Sequence, residues 1–446
     1  MRPAPHIYIN ETEYTSADGR KTYGIYNSLT ARLHFVPIQV KSALKDETGQ
    51  LLAALPDASR SSLADLRLSE IDSGETTETA LARMEAAATS LSNPIMVLLP
   101  GSYCNMGCTY CGQEHRRGTL IGPHRDAVRD RVLRKIAAAT TETISVRWFG
   151  AEPLMSYAVI KYLAPTFIAA ATSRGIPYSS NIVTNGALLD QRKLSFLIER
   201  AKVTEYHITL DGWGDRHDAH RPLKSGKSSF HKIVDIIAWG AEAYPNASFF
   251  LRTNVDVDNS EFVAEYLCNM AESGFSRRPN VVFHLTPVRS WGNDVSAVRI
   301  GTKRYAEMEE EWLLLMERLG LNTVLVPTSP KSQPCPAVSR SSEVLTSDGG
   351  VFSCTEHPLV PQFDTDARLA NISEYNLPLR PVGEFDQWHN EVRQGETPCR
   401  TCWFMPSCAG SCPKLWHEGE PACPSIKFNM SARIDIAANR LGYTVK

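Results

Sequence analysis

Between residues 93 and about 300 the chain alternates two periodicities. Short runs rich in apolar and β-branched residues fall at 95–99, 144–149, 179–184, 204–210, 248–255 and 281–286, the signature of buried strands. Between them, 127–139, 158–174, 188–200, 230–243 and 262–273 carry apolar residues at helical spacing. Strands alternating with helices of this length form βαβ units and a parallel sheet. Six such units predict an α/β fold, a partial (β/α)6 TIM-like barrel, with its chemistry at the C-terminal ends of the strands.

The flanks follow other rules. In 1–92, strands are expected near 7–9 and 23–35 and a helix over 37–55. The Ser-, Asp-, Glu- and Thr-rich stretch 57–79 has the composition of a loop or linker, and a helical run follows at 80–88. No catalytic motif falls here. The segment is expected to recognise peptide or to cap the next domain, and the absence of any groove signature favours capping. After the barrel (93–300), a bridging segment 301–326 contains an amphipathic helix at 305–319. From 327 to 446 Pro, Gly, Ser and Cys become frequent and long periodic runs vanish. A small domain with so little apolar core usually needs metal or disulfide staples.

Bulk properties narrow the function. At 446 residues two or three domains are expected. The net charge of −2 supplies no electrostatic argument for nucleic acid or an anionic membrane. The N-terminus has no signal-peptide h-region, and no sequence run approaches the ~20 apolar residues of a membrane span, so a cytoplasmic location is expected. Of 11 cysteines, three lie at 104–111, one at 268 and seven between 335 and 423. In a chain this long, clustering at short spacing points to metal rather than to a disulfide framework.

The first group is the most informative. Cys104, Cys108 and Cys111 form C-x3-C-x2-C directly after the 95–99 strand. Three thiolates this close can each bind one iron of a cubane cluster, leaving the fourth iron open. A structural zinc site would need a fourth ligand, and the next candidates are His115 and the distant Cys268. The spacing, with Tyr110 before the last cysteine, resembles the radical S-adenosylmethionine (radical SAM) enzymes, in which SAM chelates the open iron.

Other strand ends extend the resemblance. Gly150-Ala151-Glu152-Pro153 is similar to the GGEP motif of that superfamily, with Ala151 in place of the second glycine. Thr184-Asn185-Gly186 and Thr209-Leu210-Asp211-Gly212 occupy the next two strand ends. The run Asp211-Gly212, His217-Asp218, Arg221-Pro222, Gly226 and Phe230, continued by Arg252, Asn254 and Asp256, resembles the subgroup of sulfatase-maturing enzymes and peptide maturases. The resemblance implies SAM contacts by Tyr110, Gly150, Glu152, Thr184, Asn185, Thr209, Asp211 and Arg252. For His217, Asp218 and Arg221, a hydrogen-bond network that fixes the loop is the preferred reading over direct catalysis. Gln113, Glu114 and His115 are taken as solvated loop residues, and no catalytic base stands out.

The tail reads Cys335-x13-Gly349-x4-Cys354, then Cys399-x2-Cys402-x5-Cys408-x3-Cys412 and Cys423. This resembles the SPASM domain, a module for two auxiliary iron–sulfur clusters. Carried over, the resemblance assigns Cys399, Cys402, Cys408 and Cys423 to the second auxiliary cluster, and Cys335, Cys354 and Cys412 to the first. No further cysteine lies in the few residues after Cys335, so either a non-cysteine group completes the first cluster or one of its irons is open, and an open or exchangeable iron is the reading adopted. The cofactors implied are SAM and three [4Fe-4S] clusters. The activity implied is a radical SAM oxidoreductase that abstracts hydrogen with a 5′-deoxyadenosyl radical and installs a C–C, C–O or thioether crosslink in a ribosomally made precursor peptide. Reducing equivalents would come from a flavodoxin- or ferredoxin-type donor. Formylglycine formation in a sulfatase is the enzymatic alternative, and a non-catalytic, metal-stabilised binding protein is the alternative from another class.

Overall fold

The computed structural model describes residues 4–68, 77–374 and 376–445. The N-terminal part opens with an antiparallel meander, β1 (Ile7–Thr15), β2 (Lys21–Asn27) and β3 (Arg32–Val36), followed by helices α1 (Ile38–Lys45), α2 (Gln50–Ala54), α3 (Asp57–Asp65) and α4 (Thr77–Thr89). The single helix expected over 37–55 is broken where Asp46 accepts from the Thr48 and Leu51 amides and Gly49 takes φ +73°. Residues 57–65 form a helix where composition suggested a loop. Pro56 sets its first turn, and Leu63 and the following Leu68 anchor it in a cluster with Ile25, Val36 and Leu44. The remainder of that stretch, 69–76, lies outside the described residues.

The barrel follows as β4 (Ile95–Leu98), α5 (Gly122–Ala137), β5 (Ile144–Trp148), α6 (Tyr157–Arg174), β6 (Tyr178–Thr184), α7 (Gln191–Glu199), β7 (Val203–Thr209), α8 (Asp215–His220), α9 (Phe230–Ala243), β8 (Ser248–Val255), α10 (Val263–Glu272) and β9 (Val281–Pro287). The strands β4 to β9 are parallel and hydrogen-bonded in chain order. Their alternation matters: on β8, Phe249 and Leu251 are fully buried against the helices, whereas Phe250 and Arg252 face the lumen cavity. With its leading turn, α6 is long and apolar enough to cross a membrane by length and composition. Here Ile160, Leu163 and Phe167 bury that apolar surface in the protein's own core.

The C-terminal part comprises α11 (Thr302–Leu319), β10 (Glu343–Leu345), β11 (Gly350–Phe352), β12 (Ala370–Asn371), α12 (Trp388–Gln394), α13 (Met405–Cys408), α14 (Pro413–His417), α15 (Met430–Arg440) and β13 (Thr444–Val445). It is stitched into the barrel. β10 pairs parallel to β4, Glu343 opposite Met96 and Leu345 opposite Leu98, so the barrel sheet continues through β11 and β12 to nine strands. Glu343, fully buried, binds Arg131 (2.9 Å) and Lys135 (2.9 Å) of α5. A carboxylate taken from water this completely is tolerable only with such partners. The N-terminal sheet, completed by β13 against β1, rests on the cysteine-rich region: Tyr14 and Tyr26 pack with Phe404, Met430 and Ile434, and the Ser407 hydroxyl donates to the Ser28 carbonyl (3.0 Å).

Candidate active site

The segment after β4 cannot form a helix or strand through Pro100-Gly101 and Gly107, so it loops across the barrel's C-terminal mouth. Segment 220–224 holds it there. Gly107 N–H donates to the Pro222 carbonyl (2.9 Å), Thr109 N–H to that of His220 (3.3 Å), and Lys224 N–H to that of Asn105 (2.8 Å). The backbone of this segment thus fixes the cysteine loop, and the preceding His217 and Asp218 fix their own loop. His217 Nδ1 accepts from the Asp211 amide, and Asp218 accepts from Ser228 and Ser229, as the sequence suggested.

A hollow of about 130 Å3 lies at the mouth. Cys104, Cys108 and Cys111 line one side. Gly150 and Ala151, Thr184 and Asn185, and Thr209, from the ends of β5, β6 and β7, line the other. Gly150 has φ +111°, and a Cβ there would meet Leu99 Cγ at 2.9 Å, so only glycine lets this turn close. Burial raises the thiols, Cys104 to about 12, so with nothing bound they are protonated. Converging buried thiols are what a cationic iron cluster would turn into thiolates. Among the described residues, no three His, Cys, Asp or Glu side chains meet closely enough to hold a single metal ion.

Two carboxylates assigned to SAM stand behind this wall. Glu152 is fully buried and accepts three hydrogen bonds: Leu154 N–H (2.9 Å), Thr184 hydroxyl (2.7 Å) and Asn185 N–H (2.8 Å). Burial raises its carboxyl despite these donors. It ties the end of β5 to the end of β6 and does not line the hollow, so it is neither a solvated turn carboxylate nor an exposed counter-charge. Asp211 accepts from the Tyr110 hydroxyl (2.6 Å) and the Asn254 amide (2.7 Å), and pairs with His220 (3.3 Å) and Arg221 (3.4 Å). Burial works to raise it, but Arg221 and His220 hold it down to about 2. His220 is bridged between Asp211 and Asp256 (2.9 Å). Burial works to lower it, yet the two carboxylates bring it up to about 9. Two anions and two cations therefore balance beneath the loop.

Tyr110 reports this network to the hollow: its hydroxyl also accepts from Arg221 and from Asn254 (2.8 Å). Asn185 Nδ2 donates to Asn105 (2.8 Å) and points at Cys104 Sγ (3.6 Å). Arg252 lies elsewhere, donating through Nε to Asn254 (2.8 Å) and lining a second, larger cavity.

The sequence alone reads three lining residues otherwise, Gln113 and His115 as solvated loop residues and Arg221 as part of a loop-fixing network, and it does not single out Val183. The Arg221 Nε finds no partner among the described residues, and its charge acts on Cys104, Cys108 and Cys111. His115 is lowered to about 4, by burial first and Lys224 second, and its Nε2 is 3.9 Å from Cys111 Sγ.

All eleven cysteines are free thiols. Those of the tail fall into two sets. Cys399, Cys402, Cys408 and Cys423 line one small hollow beside α13. Cys335, Cys354 and Cys412 lie in one another's electrostatic reach. Ser341, six residues beyond Cys335, bonds Ser339 (3.0 Å).

Comparison with known proteins agrees with this geometry. Residues 98–265 match the Radical SAM superfamily, so the chain carries a radical SAM domain over that stretch, which supports SAM and a [4Fe-4S] cluster as its cofactors. Its relatives include the serine-type anaerobic sulfatase-maturating enzyme of Bacteroides thetaiotaomicron, 24% identical over 376 residues (73% of this chain, 85% of the relative). That of Klebsiella pneumoniae is 23% identical over 332 residues (70% and 80%). The fold superposes on native anSMEcpe with bound AdoMet and the Cp18Cys peptide, with a TM-score of 0.60 and 18% identity over 78% of this chain and 98% of that one.

Proposed function

We propose that this enzyme is a peptide or protein maturase: it removes hydrogen from one residue of a polypeptide, with two auxiliary clusters in the tail taking up an electron. The observation that carries the reading is the partition of ten cysteines into a set of three at the barrel mouth and sets of three and four in the tail. The relatives named above support the polypeptide substrate and favour oxidation of a serine side chain to formylglycine. One feature supports the crosslinking alternative: the first auxiliary set has only three cysteines, with none among residues 336–342.

When bound, SAM and its reduced cluster supply a hydrogen-abstracting radical. The chain's own residues do the rest. Arg221 offsets the charge of the thiolate loop, Gly150 admits the close backbone turn, and the 220–224 segment keeps the loop fixed over the strand ends. Oxidising a serine CH2–OH to an aldehyde removes two protons and two electrons; one of each leaves together as the abstracted hydrogen atom, and the remaining electron and proton must go to an acceptor and a base. The tail cysteines are the candidate holders of such an acceptor, and a flavodoxin- or ferredoxin-type protein would supply the priming electron.

The test is to incubate reconstituted enzyme, SAM and dithionite with a sulfatase-derived peptide bearing serine at its maturation site. Loss of two hydrogens with a hydrazide-reactive product would establish formylglycine formation. The same loss without an aldehyde, and with blocked fragmentation, would indicate a crosslink. SAM cleavage with no change in any peptide offered would count against a polypeptide substrate.

A further inference from the structure

A cavity of about 550 Å3, larger than the hollow at the cysteine loop, lies apart from it. It opens between the lumen faces of β8 and β9, α11 and the tail around Cys412. Its size is that of a ligand site (~300–1,000 Å3), and its charge is lopsided. Arg252, Arg289, Lys331 and Arg433 line it against a single carboxylate, Glu309. That carboxylate is committed: Arg433 binds it at 2.7 Å and Asn429 donates to it at 2.8 Å. Arg433 spends its other donors on Asn429 and the Leu325 carbonyl.

Arg289 has no such arrangement. It is half-buried, and the described residues give it no hydrogen bond or ion pair. Arg252 uses only Nε, on Asn254, and has Glu356 within its field. Cys412 and Cys423 near Arg289 would become anionic on cluster binding, and the Glu420 carboxylate, which also acts on it, is held by Arg299. Thiolates shared with iron and a carboxylate already paired leave Arg289 without a direct partner, and buried charges are ordinarily paired. Around the cations the wall is apolar, with Phe250, Trp291, Leu313, Met316 and Leu415.

We propose that this cavity selects the substrate by a carboxylate: a peptide carrying Asp, Glu or its own C-terminus beside an apolar residue, with Arg289 as the principal anion-binding group and Arg252 assisting. The inference rests on the polypeptide reading above and adds the chemistry by which the substrate is chosen. It also places the bound residue against Cys412, next to the first auxiliary set.

The experiment is selection of a random-peptide display library on reconstituted, SAM-loaded, full-length protein. Retained peptides are then resynthesised with Asp→Asn or Glu→Gln, or with an amidated C-terminus. The expected result is enrichment of carboxylate-bearing peptides and a loss of affinity of tenfold or more when the responsible carboxylate is neutralised; the two kinds of analogue distinguish side chain from terminus. Arg289→Met should remove the preference and Arg289→Lys should keep part of it, with iron content confirming that both fold. Retained peptides indifferent to neutralisation would overturn the inference and leave the maturase reading standing. A preference unchanged in Arg289→Met would overturn the role of Arg289. Retention of no peptide at all would overturn the polypeptide reading and this inference with it.

Discussion

Replacing Glu152 by Gln separates a scaffold carboxylate from a ligand-binding one. In the wild-type protein Oε1 accepts from Leu154 N–H and the Thr184 hydroxyl, and Oε2 from Asn185 N–H. The amide has only one acceptor atom. Keeping the carbonyl at Oε1 preserves two bonds but turns an NH2 group onto the Asn185 N–H, donor against donor. A hydrogen bond to a charged acceptor contributes about 1.5–3 kcal/mol, and an unsatisfied buried donor costs a further ~1–3 kcal/mol. Against this, the neutral amide avoids part of the burial penalty that raises the Glu152 carboxyl. The net expectation is a loss of about 2–3 kcal/mol, measured by denaturant unfolding of reconstituted protein without SAM. SAM affinity should fall as well, because Thr184 and Asn185 line the hollow. Unchanged SAM-free stability together with lost SAM binding would refute the scaffold role and return Glu152 to direct contact with SAM.

Three more outcomes follow from the geometry. Gly150→Ala should cost about 2–3 kcal/mol, since it forces alanine to φ +111° and drives its Cβ into Leu99; an unaltered unfolding midpoint would show that the turn relaxes freely. Because His220 is raised to about 9 from an unfolded value near 6.5, its contribution is complete below pH ~6.5 and is lost as pH rises through 9. Allowing for partial screening, this is about 2 kcal/mol, and it should vanish from the stability–pH curve of His220→Gln. Cys412→Ser should remove roughly four of about twelve irons per chain while reductive SAM cleavage persists; full iron retention would remove Cys412 from the ligand set.

How far the sequence could be read depended on how local each feature is. The cysteine loop and the strand ends at Gly150, Asn185 and Asp211 were legible because their spacing within one βα unit carries the chemistry. Glu152 was recognised as special, but its direction was not: that depends on Thr184 and Asn185, which the sheet brings alongside. The large cavity was invisible because its wall combines Arg252 and Arg289 with Lys331, Cys412 and Arg433, from segments joined only in the fold. Helix α3 was missed because Asp-Ala-Ser-Arg-Ser-Ser has poor helix propensity, and its stability comes from burying Leu63. The tail lacks long periodic runs, yet Glu343-Val344-Leu345 forms a strand because the β4 edge supplies its hydrogen-bond partners.

That last pairing has a consequence for biosynthesis. β4 waits for a partner that lies 247 positions further along, Met96 to Glu343. At ~5–20 residues per second on the ribosome, this edge stays open for roughly 12–50 s after it emerges. Through that interval the nascent barrel exposes an apolar strand, Ile95–Leu98, paired with β5 on one edge only, beside the cysteine loop. Holding factors, or early loading of the first cluster, would be most useful in this window, before the tail closes the sheet.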